Sequence, residues 1–124
     1  MIVAADGNRV RPQDLLRVTA HPSGAAVVLA VAGEVDLLSA PVLADGVTTA
    51  LADAPELLVI DLSEVSFLAS IGITVLLEAR REAGTGTRIR VVAPESGVVS
   101  RTLQLTGLHE ALAVAGTRDE ALTG

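Results

Sequence analysis

The side chain best suited to chemistry in this sequence is the hydroxyl of Ser70, which lies in the segment VSFLASIGITVLLEARREAG. An apolar, strand-like run precedes it and a helical pattern follows it, so the sequence places Ser70 at or next to the first turn of a helix. One interpretation is a helix N-cap, which contributes about 1 kcal/mol. The other is a phosphorylation site, because the free amides and positive dipole end of a helix tolerate a dianionic phosphate. The residues around Ser70 are compatible with both.

Two aspartates are the other candidates for a functional role. Asp36 follows the second predicted strand and Asp61 interrupts the central one. Aspartates at such junctions often accept hydrogen bonds from backbone amides of the next turn. We favour this structural role for Asp61, whereas for Asp36 structural and functional roles both remain open.

The remaining residue types argue against catalysis. His21 and His109 are isolated in the sequence, and a nucleophilic Ser70 would need a base that no neighbouring residue supplies. Metal-binding motifs are missing, and the segment Gly84–Arg88 lacks the GK[ST] ending of a phosphate-binding loop. We therefore expect a protein that is not an enzyme, with no metal, no cofactor and no catalytic residue.

Composition limits the partners and the compartment. The chain has 124 residues, a net charge of -6, a single aromatic residue and no cysteine. An acidic chain without basic patches or aromatic stacking platforms is unsuited to nucleic acid. Its apolar runs are far shorter than the roughly 20 residues of a membrane span, and the N-terminus lacks a signal pattern. We expect a cytoplasmic protein that binds neither nucleic acid nor membrane.

Hydrophobic periodicity predicts a single α/β domain with a mixed sheet of four to five strands, opened by an antiparallel hairpin, and about four helices. Residues 1–13 read as a lead-in, with a short edge strand at Ile2–Ala4, and residues 14–124 as the domain. The two hairpin strands are predicted at Leu15–His21 and Ala25–Val35, and the later strands at Leu57–Leu62, Arg88–Ala93 and Ala111–Val114. Helices are predicted from Ala40 (capped by Ser39) to about Ala54, over Ile71–Ala83, from a cap near Ser96 to Gly107, and after a Thr117/Glu120 capping box. Because the last two helices are short, we expect one sheet face to be thinly covered.

Four segments together resemble the STAS domain of anti-sigma factor antagonists over residues 14–122. They are GEVD at 33–36, Ala40-Pro41, LLVIDLSEVSFLASIGI at 57–73 and LTGL at 105–108. In that family a segment F-[LM]-D-S-[ST]-G-[LI] carries a serine that the anti-sigma factor, itself a kinase, phosphorylates. The segment Phe67–Ile73 matches it, which implies that Ser70 is the phosphate acceptor, while Ala69 and Ile71 depart from the pattern.

The resemblance implies a partner-switching role in transcription, of the kind used in stress responses. The unphosphorylated chain would bind an anti-sigma factor serine kinase and so release the sigma factor; phosphorylation of Ser70 would end this binding, and a phosphatase would restore it. The partner-binding residues implied are Asp36, Ala69, Ser70, Ile71, Gly72 and Thr74. The missing acid at position 69 keeps open a constitutive, never phosphorylated binding or scaffold module, and a third alternative is a domain that serves a membrane transporter.

Overall fold

A four-stranded sheet forms the centre of the protein, seen here in a computed structural model that describes residues 11–124. The strands are β1 (Leu16–Ser23), β2 (Ala26–Val35), β3 (Leu57–Leu68) and β4 (Arg88–Val92). They lie in the order β1-β2-β3-β4, with β1 antiparallel to β2 and the other neighbours parallel. The predicted mixed sheet, opened by an antiparallel hairpin, is confirmed.

The helices connect these strands in the way that parallel pairing requires, since each parallel neighbour is reached through a crossover. They are α1 (Pro12–Leu15), α2 (Ala40–Ala52), α3 (Ser70–Ala83), α4 (Val98–Leu105) and α5 (Arg118–Thr123). Helix α2 crosses from β2 to β3, and α3 crosses from β3 to β4. The four predicted helices correspond to α2 to α5.

The hairpin turn is tighter than the sequence suggested. Strand β1 continues through Pro22 and Ser23, so that Ser23 lies opposite Ala26. Only Gly24 and Ala25 form the turn, and Gly24 has a φ of 60°, which glycine adopts without a steric penalty. Pro22 is tolerated within β1 because β1 is an edge strand of the sheet, where a missing N–H costs no ladder bond.

The two faces of the sheet are covered unequally. On one face, α2, α3 and α4 bury an aliphatic core that includes Leu29, Leu58, Ile60, Leu76 and Leu103. The other face has a much smaller cluster, in which α5 contributes Ala121; its sheet residues are Ala26, Val28, Leu57, Val59 and Val92. The expectation of one thinly covered face is therefore confirmed in the described part of the chain.

Several predicted boundaries differ from the structure. The predicted lead-in ends in α1, and the predicted strand at Ile2–Ala4 lies outside the described residues. Residues 111–114 are not a strand: residues 111–113 form a turn, with Ala113 at a φ of 49°, and the bridge to Val92 is made by Ala115. This segment is apolar because Leu112 is fully buried, not because it extends the sheet. Helix α4 has Gly97 rather than Ser96 as its N-cap.

Candidate functional site

The loop after β2 is held rigidly by Asp36 and Ser39. The Asp36 Oδ1 accepts hydrogen bonds from the amides of Leu38 (3.0 Å) and Ser39 (2.9 Å). The fully buried Ser39 hydroxyl donates to the Glu34 carbonyl (2.6 Å) and accepts from the Asp36 amide (3.0 Å). Ser39 thus precedes α2 as predicted, but its side chain does not cap the helix. These hydrogen bonds explain why the loop has a carboxylate at position 36. A role of Asp36 in partner binding stays a prediction.

The junction between β3 and α3 is joined to the end of β2. Strand β3 runs to Leu68, six residues beyond the predicted end, and Leu68 lies opposite Val35 in the parallel register. The Ala69 amide then donates to the Val35 carbonyl at 2.9 Å. These contacts bring the Asp36 loop and the start of α3 to the same edge of the sheet, the carboxyl edge of β2 and β3.

Gly72 allows α3 to begin close to this edge. A Cβ atom on Gly72 would lie 2.6 Å from the Leu68 Cδ1 and 2.7 Å from the Val35 Cγ1. Contacts this short would force the strand side chains or the helix to move. The glycine therefore serves the close packing of α3 on the strands; Gly72 itself is buried, and its role in partner binding stays a prediction.

Ser70 is the first residue of α3 rather than its cap. Ala69 occupies the N-cap position, with extended backbone angles and no side-chain hydrogen bond. Ser70 is exposed, and among residues 11–124 its hydroxyl has no hydrogen-bond partner. The Ala69 and Gly72 amides at this end already donate to the carbonyls of Val35 and Ala69, which leaves the Ser70 and Ile71 N–H groups without an acceptor among residues 11–124 and able to bind an anion. The N-cap interpretation of Ser70 is wrong, which leaves its hydroxyl available for modification.

The other predicted partner-binding residues differ in accessibility. Thr74 is exposed one turn further along α3, and its hydroxyl donates to the Ser70 carbonyl at 3.3 Å. Ile71 and Ala69 are half-buried. Ile71 therefore keeps part of its side chain at the surface, next to Ser70 in the sequence.

Two apolar residues at the carboxyl edge were missed by the sequence reasoning. Leu37 is 79% exposed in the rigid loop, and Phe67 is 49% exposed at the end of β3. The sequence did contain a signal for the exposure of Phe67, because the polar residues Ser63, Glu64 and Ser66 interrupt the apolar run before it. We call the side chains of Leu37, Phe67, Ser70, Ile71 and Thr74 the Ser70 surface. Exposed apolar groups at the same edge of the sheet as an accessible hydroxyl are a feature of protein-binding surfaces.

Asp61 lies away from the Ser70 surface and has a structural role. Its Oδ1 accepts from the Ser63 amide (2.9 Å), and its Oδ2 accepts from Arg118 Nε (3.0 Å) and Nη2 (2.9 Å). Burial alone would raise the pKa of Asp61, but the hydrogen bonds from Ser63 and the guanidinium of Arg118 outweigh it and lower the pKa. The register of β3 against β2 is irregular at this point. Asp61 therefore stabilises a bulge and fastens α5 to the sheet.

The described residues offer no grouping suited to metal chemistry. Within 11–124, no three His, Asp or Glu side chains come together in a way that could hold a metal ion. In the same part of the chain, no helix is long and apolar enough to cross a membrane.

Comparison with known proteins gives consistent matches along most of the chain. The family model of the STAS domain matches residues 17–121. The anti-sigma-F factor antagonist RsfB of Mycobacterium tuberculosis is 37% identical over 111 residues, which is 90% of each chain. The crystal structure of an anti-sigma factor antagonist from Mycobacterium paratuberculosis has a TM-score of 0.81 at 33% identity, covering 98% of this chain and 97% of that chain. The unphosphorylated form of the anti-sigma factor antagonist SpoIIAA, at 24% identity, shares the fold, with a TM-score of 0.70 over 86% of this chain and 93% of that chain.

Proposed function

The chain belongs to the STAS domain family, and from this premise we propose that it is an anti-sigma factor antagonist that binds an anti-sigma factor through the Ser70 surface. The observation that carries the proposal is the exposed Ser70 hydroxyl at the start of α3, at the same edge of the sheet as the exposed Leu37 and Phe67. The similarity to RsfB supports the class of partner. In this role the chain acts by binding and needs no catalytic group of its own.

The rigid loop after β2 favours binding. Because Asp36 and Ser39 fix the loop by internal hydrogen bonds, Leu37 is held outward before any partner arrives. Binding then loses little conformational entropy at this position, which is how preorganisation increases affinity. Burial of Leu37, together with the exposed parts of Phe67 and Ile71 at the same edge of the sheet, would supply the apolar part of the interface.

Phosphorylation of Ser70 by a partner kinase is the proposed control of this binding. A phosphate on the Ser70 Oγ would lie at the N-terminus of α3, where the free amides and the helix dipole stabilise negative charge. The modified domain should therefore stay folded. The same dianion would bring strongly held water into a surface whose neighbours are apolar, and this desolvation cost disfavours association. A phosphatase would reverse the effect.

One feature favours the alternative, a constitutive binding module. Ala69 presents only a methyl group at the N-cap, so the side chain before Ser70 offers a kinase no carboxylate. In this alternative the Ser70 surface binds the same class of partner and its hydroxyl is never modified.

The test combines modification and binding. The purified protein is incubated with candidate anti-sigma factors and ATP, and intact-mass spectrometry counts the phosphates added to the wild type, to Ser70→Ala and to Ser96→Ala. Ser96 is a matched control, because it is an exposed serine in the loop between β4 and α4. Isothermal titration then measures the affinity of each form for the same anti-sigma factor.

The expected result is one phosphate on the wild type and on Ser96→Ala, none on Ser70→Ala, and weaker binding by the phosphorylated protein. Tight binding without any phosphate would favour the constitutive module. If no anti-sigma factor binds the unphosphorylated protein, the proposed function is wrong.

A further inference from the structure

A second surface lies between the edge strand β1 and helix α2, away from the carboxyl edge. It is a groove of about 380 Å³. Its residues are Val18, Ala20 and Pro22 of β1, Val27 and Leu29 of β2, and Val42, Asp45, Gly46, Thr49, Ala50 and Asp53 of the α2 region. The floor is apolar and the outer rim is acidic.

The open edge of β1 forms one wall of this groove. Within residues 11–124, β1 pairs with β2 alone, so no strand among these residues bonds to the outer edge of β1, where Pro22 offers a C=O group but no N–H. Val18, Ala20 and Pro22 are two residues apart and therefore project from the same face of β1, towards α2. Val18 is half-buried and the other two are exposed, so α2 leaves this apolar row partly uncovered.

The acidic rim of α2 has no explanation in folding. Asp45 and Asp53 are exposed, and in the described part of the chain neither forms an ion pair. Asp53 is the C-cap of α2, where a negative charge opposes the helix dipole. Because this carboxylate destabilises its own helix, it is consistent with a role in binding a cationic group of another molecule.

The spacing of these carboxylates matches an extended chain. Asp45 and Asp53 are eight residues apart on a helix, which separates them by about 12 Å along its axis. Residues i and i+4 of a β-strand are about 13 Å apart and project from the same face. Two basic side chains at i and i+4 of a strand added to β1 would therefore reach the two carboxylates, with residue i+2 pointing into the apolar groove.

We propose that this groove binds an extended segment of a partner protein with the pattern basic-x-apolar-x-basic, which pairs with the outer edge of β1. Backbone hydrogen bonds to β1 hold the segment, the apolar residue fills the groove, and the basic residues meet Asp45 and Asp53. This mode of recognition combines affinity from the main chain with specificity from alternate side chains. The site is separate from the Ser70 surface.

A second copy of this chain fits the groove less well. Antiparallel pairing of two β1 strands around a two-fold axis keeps both α2 helices on one face of the joined sheet. The acidic rim of one copy would then approach that of the other, and like charges at such an interface disfavour association.

The proposal is tested by NMR titration of the isotopically labelled full chain with the capped peptide Thr-Arg-Thr-Val-Thr-Arg-Thr. The control peptide has both arginines replaced by glutamate. The variants are Asp45→Lys/Asp53→Lys and a matched control of equal charge change outside the groove, Glu82→Lys/Glu110→Lys. Both control positions are exposed.

The arginine peptide should shift the amide signals of residues 18–22 and 45–53 of the wild type. Its affinity should fall about tenfold for Asp45→Lys/Asp53→Lys, since each exposed ion pair is individually weak, and stay within twofold for the control variant. The glutamate peptide should show the reverse preference and bind the lysine variant, which also establishes that this variant is folded.

Three results would overturn the proposal. The first is equal binding of the two peptides to the wild type, and the second is a set of shifted signals that excludes β1 and α2. The third is self-association of the free protein through β1, detected by sedimentation, which would assign the groove to a second copy. Each of these results is measured without an anti-sigma factor. Failure of the groove proposal is therefore distinguishable from failure of the proposed function.

Discussion

Truncation of Leu37 should weaken binding of the anti-sigma factor without affecting the fold. Full burial of a leucine side chain contributes about 1.5 to 3 kcal/mol. Leu37 is 79% exposed in the free protein, so most of that burial is still to be gained when a partner binds. Alanine keeps one carbon of the side chain, and we expect Leu37→Ala to cost about 1 to 2 kcal/mol of binding free energy, which is about 5- to 30-fold in Kd.

The assay is isothermal titration of the unphosphorylated protein with its anti-sigma factor, together with thermal unfolding of each variant. Leu105→Ala is the matched control, because Leu105 is 82% exposed but lies at the C-terminal end of α4. Neither substitution should change Tm appreciably, since neither side chain is buried. An unchanged Kd for Leu37→Ala, or an equal loss for Leu105→Ala, would refute the assignment of the Ser70 surface as the interface.

Three further substitutions test the packing and hydrogen bonds that support this surface and the sheet. Gly72→Ala should lower Tm, because overpacking against Leu68 and Val35 costs about 1 to 3 kcal/mol and the gain in helix propensity returns at most about 1 kcal/mol, which leaves a net loss of up to about 2 kcal/mol; a raised Tm in calorimetry would contradict the packing argument. Ser39→Ala leaves the Glu34 carbonyl and the Asp36 amide without their partner, so urea denaturation should show a loss of about 1 to 3 kcal/mol. The lowered pKa of Asp61 stabilises the fold above the unfolded pKa of about 3.9, and this contribution is lost as the pH falls through the lower folded value. Asp61→Asn should therefore reduce stability at pH 7 and reduce the further loss below about pH 4, whereas parallel pH curves for the two proteins would exclude this role.

The sequence predicted the elements whose hydrophobic pattern is regular. Strand β2 and the central strand are almost continuously apolar, and α2 begins at Ala40-Pro41, where proline is favoured in the first helical turn. The Thr117 cap of α5 also follows from local spacing, since its hydroxyl accepts from the Glu120 amide as the capping box requires.

Elements governed by tertiary contacts could not be predicted from local patterns. Strand β3 continues past Asp61 because β2 supplies a partner up to Leu68, although the polar residues after Leu62 suggested that the strand had ended. The cap of α3 was misassigned because Ser70 is a good N-cap by residue type, whereas the bond from the Ala69 amide to Val35 fixes the start of the helix. The exposure of Leu37 depends on the hydrogen bonds of its loop, which the apolar pair Leu37-Leu38 does not reveal.

The unequal covering of the sheet has a consequence for how the molecule opens. Helix α5 has six residues, and it is held by the Arg118–Asp61 ion pair, by hydrogen bonds from Arg90 to its carbonyls, and by one buried side chain, Ala121. A segment with so few contacts can detach while the opposite layer stays packed, because local opening costs less than global unfolding. Amide hydrogens of α5 should therefore exchange with solvent much earlier than those of β2 and β3, which makes this end of the chain a separate cooperative unit.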